Sequence, residues 1–338
     1  MIDTQLPFID LHRHLEGCVR LETMLALAEQ HSLQLPGNTV DALHPHVVLA
    51  GPQADLVGFL DRLKWMIFVL RDPDACRRIA YECVQDSAAE GLDYLELRFS
   101  PLFMAQPHGL NPADVTAAVI DGAKAAERDF GLTTRLIGIM SRTFGPESCL
   151  AELEALLEHR HELRALDLAG DEARWPGELY YEHFKRGRDA GWQVTVHAGE
   201  AGGAANVRYA IEHLGATRIG HGIRAIDDPS LIELIAHRGI GLEVNLTSNL
   251  QTNTVQTLTT HPLASFLQNN LLASINTDDP IISGIDLHYE FHEAAPTAGI
   301  TPALAKRAQE NALATAFLSP SERQTILQRK AAKQSPTP

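Results

Sequence analysis

Phe8-Ile9-Asp10-Leu11-His12-Arg13-His14 is a short apolar run that ends in two imidazoles, and how that ending is read decides the fold. Three later runs end the same way: Val194-Thr195-Val196-His197-Ala198-Gly199-Glu200, Ile219-Gly220-His221-Gly222 and Ala273-Ser274-Ile275-Asn276-Thr277-Asp278-Asp279-Pro280. Side chains on a strand alternate faces with a period of two, so a strand here points His12 and His14 the same way. With His197 and Asp278 they make three imidazoles and a carboxylate, a donor set suited to a borderline divalent cation such as zinc. Glu200 and His221 are then left as candidate acid and base, and the whole reads as a hydrolytic metal site.

Apolar runs of this kind recur at 8–12, 94–99, 135–140, 165–168, 193–197, 218–220, 241–246 and 272–276. Most lack polar alternation, as parallel strands covered on both faces do. Helical patterns separate them at 74–90, 112–130, 147–161, 177–190, 204–213 and 229–237, with another at 302–317. Glycine often stands between helix and strand, as at Gly91, Gly191 and Gly239, which fits helix C-cap chemistry. Eight strand–helix units predict a (β/α)8 TIM barrel of the α/β class, with the chemistry at the C-terminal ends of the strands. Residues 17–71 are too many for a first crossover and are read as extra helices, at 21–31 and 55–70, inserted after the first strand to cover the barrel mouth. No repeat or linker divides the chain. A single domain over 1–338 is expected, with its core at about 7–329 and a polar, disordered tail at 330–338.

Composition narrows the function classes. An apolar fraction of 45% supports a sizeable core. The formal net charge of −15 argues against nucleic acid or an anionic membrane as partner, since both need a basic surface. A small neutral or cationic substrate fits. No run is long and apolar enough to span a bilayer, and Met1-Ile2-Asp3-Thr4-Gln5 does not open a signal peptide. Cys18, Cys76, Cys83 and Cys149 are scattered and read as small hydrophobes of a reduced, cytoplasmic enzyme.

Each motif competes with a plainer explanation. His12-Arg13-His14 has an internal control, because the same tripeptide recurs at His159-Arg160-His161. That copy ends a helical run, where residues two apart diverge by roughly 200° and cannot chelate one ion. His197 alone would be a satisfied core histidine. Ala198 and Gly199 leave room beside it, and Glu200 follows at a tight turn. In zinc hydrolases the metal lowers the pKa of bound water to about 7, and a nearby carboxyl group still has to move protons at the substrate. Glu200 is the natural choice, its pKa raised in a closed pocket. His221, between two glycines, is either a core histidine at a strand end or a base that orients the attacking water and takes its proton. Asp278 and Asp279 diverge as neighbours, so one ligates and the other meets the substrate. No lysine stands at Leu168-Ala169-Gly170-Asp171 to bridge a second metal, which favours a single ion. Cys-x-x-Cys, P-loop and dinucleotide fingerprints are absent.

Taken together, Asp10 to Leu15, Leu97 to Pro101, Ile137 to Arg142, Leu166 to Glu172, His197 to Glu200, Gly220 to Gly222, Leu246 to Asn249 and Thr277 to Pro280 resemble the adenosine deaminase family within the metal-dependent amidohydrolase barrels. The likeness covers about 7–329 and is greatest toward the bacterial members. It implies one Zn2+ held by His12, His14, His197 and Asp278. It implies that Glu200 protonates purine nitrogen 1 as hydroxide attacks carbon 6 and that His221 assists. It also implies that Asp279 meets nitrogen 7 and the Gly170 backbone nitrogen 3, with His14 and Glu16 also bordering the substrate.

One position departs from the family pattern. Glu16 follows His-x-His-Leu where the family usually has Asp, at the position that meets the ribose, and relatives acting on free adenine often carry Glu there. Leu168-Ala169-Gly170-Asp171, by contrast, matches the nucleoside enzymes. Adenosine and 2′-deoxyadenosine are the expected substrates. Adenine and a 5′-modified adenosine such as aminodeoxyfutalosine are the alternatives. Outside this class stand another metal hydrolase on the same barrel, such as an amidase or phosphotriesterase, and a non-catalytic nucleoside-binding protein.

Overall fold

The computed structural model describes residues 1–53 and 55–334. Eight strands follow the order of the chain: β1 (Ile9–His14), β2 (Tyr94–Phe99), β3 (Thr133–Ser141), β4 (Leu163–Ala169), β5 (Gln193–Ala198), β6 (Arg218–His221), β7 (Gly241–Val244) and β8 (Leu272–Ile275). Each pairs in parallel with the next. The ring is closed by residues that the sequence picked for chemistry. Asp278 N donates to His12 O at 2.8 Å, and His14 N donates to Asp278 O at 2.8 Å. Deeper in the same seam, Leu11 N donates to Asn276 Oδ1 at 3.0 Å. The result is the expected (β/α)8 barrel with parallel strands buried on both faces.

Local chemistry starts and stops the surrounding helices. Pro73, Pro112, Pro229 and Pro302 each open a helix behind a capping Asp72, Asn111, Asp228 or Thr301, whose side chain accepts a first-turn N–H. Gly131 and Gly239 end the helices Pro112–Phe130 and Pro229–Arg238 in the left-handed region.

Several boundaries differ from the expectations. The seventh strand ends at Val244, and Leu246–Gln251 is a helix. A further helix, Leu263–Gln268, lies in the last crossover, where the sequence pattern predicts none. Among the described residues the insertion holds four α-helices rather than two: Leu21–Gln30, Val40–Val47, Leu56–Leu60 and Leu63–Phe68. The helix Pro146–Glu158 stops before His159-Arg160-His161, which lies in the following turn with His161 exposed. The tail is not disordered where it is described. Helix Pro320–Gln334 runs into it, held by buried Ile326 and by Lys330 and Lys333 on Asp93 at 2.8 and 2.9 Å. Residues 335–338 lie outside the described residues.

The barrel interior is polar where an aliphatic filling is usual. On β2, Tyr94, Glu96 and Arg98 alternate toward the axis. Arg218 pairs with Glu96 and, through Nε, with Glu243 Oε1 at 2.6 Å. Arg98 reaches Glu243 Oε2 at 2.7 Å and Asp167 Oδ2 at 2.8 Å. At the floor, the Arg218 guanidinium lies 3.6 Å from the centroid of the Phe317 ring. A ladder of buried ion pairs thus rises from the barrel floor to the mouth.

Candidate active site

The pleat of β1 carries His12 and His14 to one face, and the structure brings them together at the mouth. Their Nε2 atoms are 3.3 Å apart, and His14 Nε2 is 3.1 Å from His197 Nε2. Asp278 Oδ1 lies 3.1 Å from His12 Nε2 and 3.2 Å from His14 Nε2. A register shift between Asp10 and Arg13 sets Leu11 and His12 against one residue of β2, a bulge of the kind that re-aims side chains beside sites. His221 and Asp278 both hold positive φ, +60° and +66°, which non-glycine residues adopt at a cost that clusters at functional sites.

Among the described residues, ligand atoms of His12, His197, His221 and Asp278 lie within 4.8 Å of one another. Distance alone therefore admits His221 to the cluster, and hydrogen bonding sets it apart. His12 Nδ1 is 2.8 Å from Glu243 Oε2, and His197 Nδ1 is 2.9 Å from Asp167 Oδ2. Carboxylates only accept, so each Nδ1 carries a hydrogen and Nε2 is the atom turned to the cluster, as in ligating histidines. His221 is wired the other way. Leu263 N–H donates to His261 Nδ1 at 3.1 Å, which leaves the hydrogen of His261 on Nε2, 3.2 Å from Asn249 Oδ1. Asn249 Nδ2 then donates to His221 Nδ1 at 2.9 Å, joined by Asn245 Nδ2 at 3.3 Å. His221 Nδ1 accepts, so Nε2 of the neutral ring carries the hydrogen. It points toward Glu200 Oε2 at 3.5 Å and Asp278 Oδ2 at 3.8 Å.

The protonation states suit a cation. Burial drives His14 down to about 4 and lowers His197, leaving both rings neutral. Asp278 is held well below the carboxylate range: burial opposes this, and the His12 and His14 contacts overcome it. His12 is raised despite burial because Asp278 and Glu243 flank it, and a cation at Nε2 would take the place of that proton. Three imidazole nitrogens and one carboxylate oxygen fit a divalent ion with nitrogen and oxygen preference.

A cavity of about 610 Å³ opens above the cluster. His14, Glu16, Gly170, His197, Glu200, His221, Asp278 and Asp279 line it, so the residues singled out from the sequence share one space, apart from fully buried His12 beneath. Leu56, Phe59, Leu60 and Leu63 of the insertion form an apolar wall. Glu200 is raised well above the carboxylate range, by burial first and then by the Asp278 and Glu172 charges. Glu16 is pushed up to about 8, mainly by burial; its Oε1 accepts from Ser100 N at 2.5 Å, and its Oε2 is buried without a partner. Asp279 Oδ1 is likewise buried and unpartnered.

Asp279 depends on a close approach by the chain. A Cβ on Gly17 would lie 1.9 Å from Asp279 Oδ1 and 2.5 Å from its Cβ. Gly17→Ala is expected to displace that carboxyl and lower kcat/KM by about 100-fold, since shifts of this size misplace reacting groups. Steady-state kinetics check this, and an unchanged kcat/KM would remove Asp279 from the site.

The sequence reading missed the supporting residues: Asp167, Glu243 and Arg98 behind the histidines, Asn249 and His261 behind His221, and Glu172 behind Glu200. A signal existed for some of them. Glu243 interrupts an apolar strand, and Glu96 and Arg98 alternate on another. Charge in a doubly covered strand must be paired inside.

Fold and site together define a barrel hydrolase with a polar, metal-competent cluster at the C-terminal mouth. A profile of the adenosine deaminase family matches residues 7–333. The chain is 54% identical over 326 residues to an adenosine deaminase of Serratia proteamaculans, covering 96% of this chain and 98% of that one. Among solved structures it resembles an adenine deaminase from Arthrobacter aurescens, with TM-score 0.87, 25% identity, and 97% and 99% of the two chains covered. It also resembles an amidohydrolase from Burkholderia ambifaria with bound zinc, with TM-score 0.86, 28% identity, and 98% and 91% covered. The chain belongs to the adenosine deaminase family, a family of hydrolases.

Proposed function

We propose that the protein hydrolyses the exocyclic C–N bond of adenosine and 2′-deoxyadenosine, releasing ammonia and inosine or 2′-deoxyinosine. One Zn2+ would be held by His12, His14, His197 and Asp278. The observation that carries this reading is the convergence of three Nε2 atoms and Asp278 Oδ1 beside a buried Glu200 at the barrel mouth. The 54% identity to the Serratia enzyme supports the nucleoside as substrate.

Zinc supplies the Lewis acidity that makes water nucleophilic near neutral pH. The chain's own residues do the rest. The purine ring resists attack at carbon 6 until nitrogen 1 gains a proton, and Glu200, kept protonated by burial, is the donor. His221, expected from the sequence to take the water's proton as a base, is held as an Nε2–H donor by Asn249 and Asn245 and so orients the attacking water without accepting its proton. Nitrogen 7 is an acceptor, so Asp279 meets it in its protonated form. The Gly170 backbone faces nitrogen 3. The hydroxyl of the water adds to carbon 6 as nitrogen 1 takes the Glu200 proton; of the two protons the water brings, one returns to Glu200 and the other moves to the amino group, which departs as ammonia as carbon 6 becomes a carbonyl.

At the sugar end, Glu16 Oε2 is a buried polar atom without a partner, which suits a hydroxyl. Among the described residues lining the cavity there is no lysine or arginine, and four are acidic, which disfavours a 5′-phosphate. Free adenine is the second reading, favoured by Glu16 in place of Asp; a 5′-modified adenosine such as aminodeoxyfutalosine is the third. The four free, buried cysteines support a reducing cytoplasm, where the reaction serves purine salvage.

An ultraviolet assay across adenosine, 2′-deoxyadenosine, adenine, a 5′-modified adenosine and AMP tests the reading. Adenosine is expected to exceed adenine and AMP by at least about 100-fold in kcat/KM, in line with the discrimination available to buried polar groups. Adenine in the lead would overturn it. Dialysis against a chelator should abolish turnover, and Zn2+ should restore it at one ion per chain; full activity without metal would exclude the cluster. Glu16→Asp is expected to change the ratio of adenosine to adenine turnover by about 10-fold, the scale of one hydrogen bond. An unchanged ratio would show that Glu16 does not read the sugar.

A further inference from the structure

Glu172 belongs to neither the metal cluster nor the cavity wall, yet its carboxylate is buried. It lies on the loop after β4, two residues beyond Gly170, and it faces the turn after β5. Oε1 accepts from Gly199 N at 2.8 Å and from Asn206 Nδ2 at 3.0 Å. Oε2 accepts from Glu200 N at 3.2 Å, Ala201 N at 3.0 Å and Gly202 N at 2.7 Å. Four consecutive backbone N–H groups thus converge on one carboxylate.

Successive amides converge only where the chain curls, and Gly199, at φ +72°, supplies the curl. Such a concavity is an anion-binding nest. Here the protein provides its own anion. Space around it is tight: a Cβ on Gly202 would meet Glu172 Oε1 at 2.6 Å. One member of the nest is the backbone of Glu200, whose side chain continues to His221 at 3.5 Å. The same clamp joins two edges of the site, since the loop bearing Glu172 also bears Gly170. Buried Arg142 adds a second tie between the same strand ends, through Nη2 to Leu168 O at 2.7 Å and to His197 O at 2.6 Å.

We propose that Glu172 is the positioning residue for Glu200: its carboxyl oxygens gather the 199–202 turn and set the acid in line with nitrogen 1 of the purine. The proposal rests on the reading of Glu200 as the proton donor. Without an anion in the nest, four N–H groups face one another unpaired and the turn opens. Substrate still enters, because Glu16, Asp279 and the apolar wall of the insertion make no contact with the clamp, but the proton is no longer delivered along the ring plane. The effect therefore falls on kcat and spares KM.

Glu172→Gln and Glu172→Ala are made in the full-length zinc enzyme. kcat, KM and zinc content are measured with sodium formate titrated from zero, beside wild type and Glu200→Gln. Glu172→Gln keeps the volume but turns an NH2 toward the N–H groups. kcat is expected to fall about 100-fold, the usual scale for a misplaced reacting group, with KM within about threefold and one zinc per chain. In Glu172→Ala, formate should fill the nest and restore kcat at least about 10-fold along a saturating curve, while wild type and Glu172→Gln gain nothing. A kcat within threefold of wild type in Glu172→Gln would overturn the proposal. So would a loss of kcat in Glu172→Ala that formate does not touch. If Glu172→Ala does not fold, Glu172→Gln decides alone by its kcat and KM. An active Glu200→Gln enzyme would instead sink the assignment of the acid, whatever the Glu172 variants do.

Discussion

Glu200→Gln is expected to lower kcat for adenosine by about 1,000-fold, within the range that a positioned general acid contributes. Gln has the size and shape of Glu, so the 199–202 turn and its hydrogen bonds to Glu172 persist. The carboxamide can still donate a hydrogen bond to nitrogen 1, but it has no proton to transfer. Addition at carbon 6 then has to proceed on an unprotonated ring. The carboxyl is suited to the task because burial, followed by the Asp278 and Glu172 charges, raises its pKa well above the ordinary value and keeps the acid loaded near neutral pH. Steady-state kinetics with elemental analysis check the outcome: one zinc per chain and KM little changed. A rate within tenfold of wild type would remove Glu200 as the donor.

Glu243→Ala is expected to be the most destabilising single change in the barrel. The side chain is buried and accepts four bonds: from His12 Nδ1 at 2.8 Å and Arg98 Nη2 at 2.7 Å on Oε2, and from Arg218 Nε at 2.6 Å and Thr195 Oγ1 at 2.8 Å on Oε1. Its removal leaves two guanidinium groups in the interior against Asp167 and Glu96 alone. Breaking a buried ionic network in this way costs about 3–5 kcal/mol. It also frees His12 Nδ1, and losing such a partner weakens metal binding by about 10–100-fold. Chemical denaturation and competition against a chelator measure the two effects. Burial opposes ionisation of Glu243, but Arg98 and Arg218 outweigh it and hold the pKa well below 4.5. The contribution is therefore fully present above pH 4.5 and is lost as the medium is acidified through the folded-state pKa. The gap between wild type and variant should close in acid. A gap that stays constant would mean that Glu243 acts by packing and not by charge.

The two variants mark how unevenly the site could be read in the sequence. Glu200 was visible, because it follows His197 at a strand end with Ala198 and Gly199 between them. Glu243 was not. It sits within an apolar run, and nothing nearby in sequence shows that its partners come from β1, β2, β5 and β6. The same holds for the mouth. The insertion was expected to cover it, and Phe59, Leu60 and Leu63 do line the cavity. Its division into four helices, and the presence of Val40–Val47 with Thr39 as its cap, were not anticipated. Residues 330–338 are polar and contain proline, which predicts disorder, yet 330–334 continue the helix Pro320–Gln334. Asp93, the partner of Lys330 and Lys333, is remote in sequence.

By itself the sequence determined the barrel and brought forward the proposed donor set and acid. Strand period, helix caps and strand-end motifs are local properties, and each can be read within a few residues. Only the tertiary structure decided which ring nitrogen each histidine turns to the site. It also gave Asp278 the left-handed backbone that sets its Oδ1 beside His12 and His14. The physical reason is that a tautomer and a left-handed backbone are set by partners through space. Glu243 and Asp167 make Nε2 the open atom of His12 and His197, while the Leu263–His261–Asn249 chain makes Nε2 of His221 a donor.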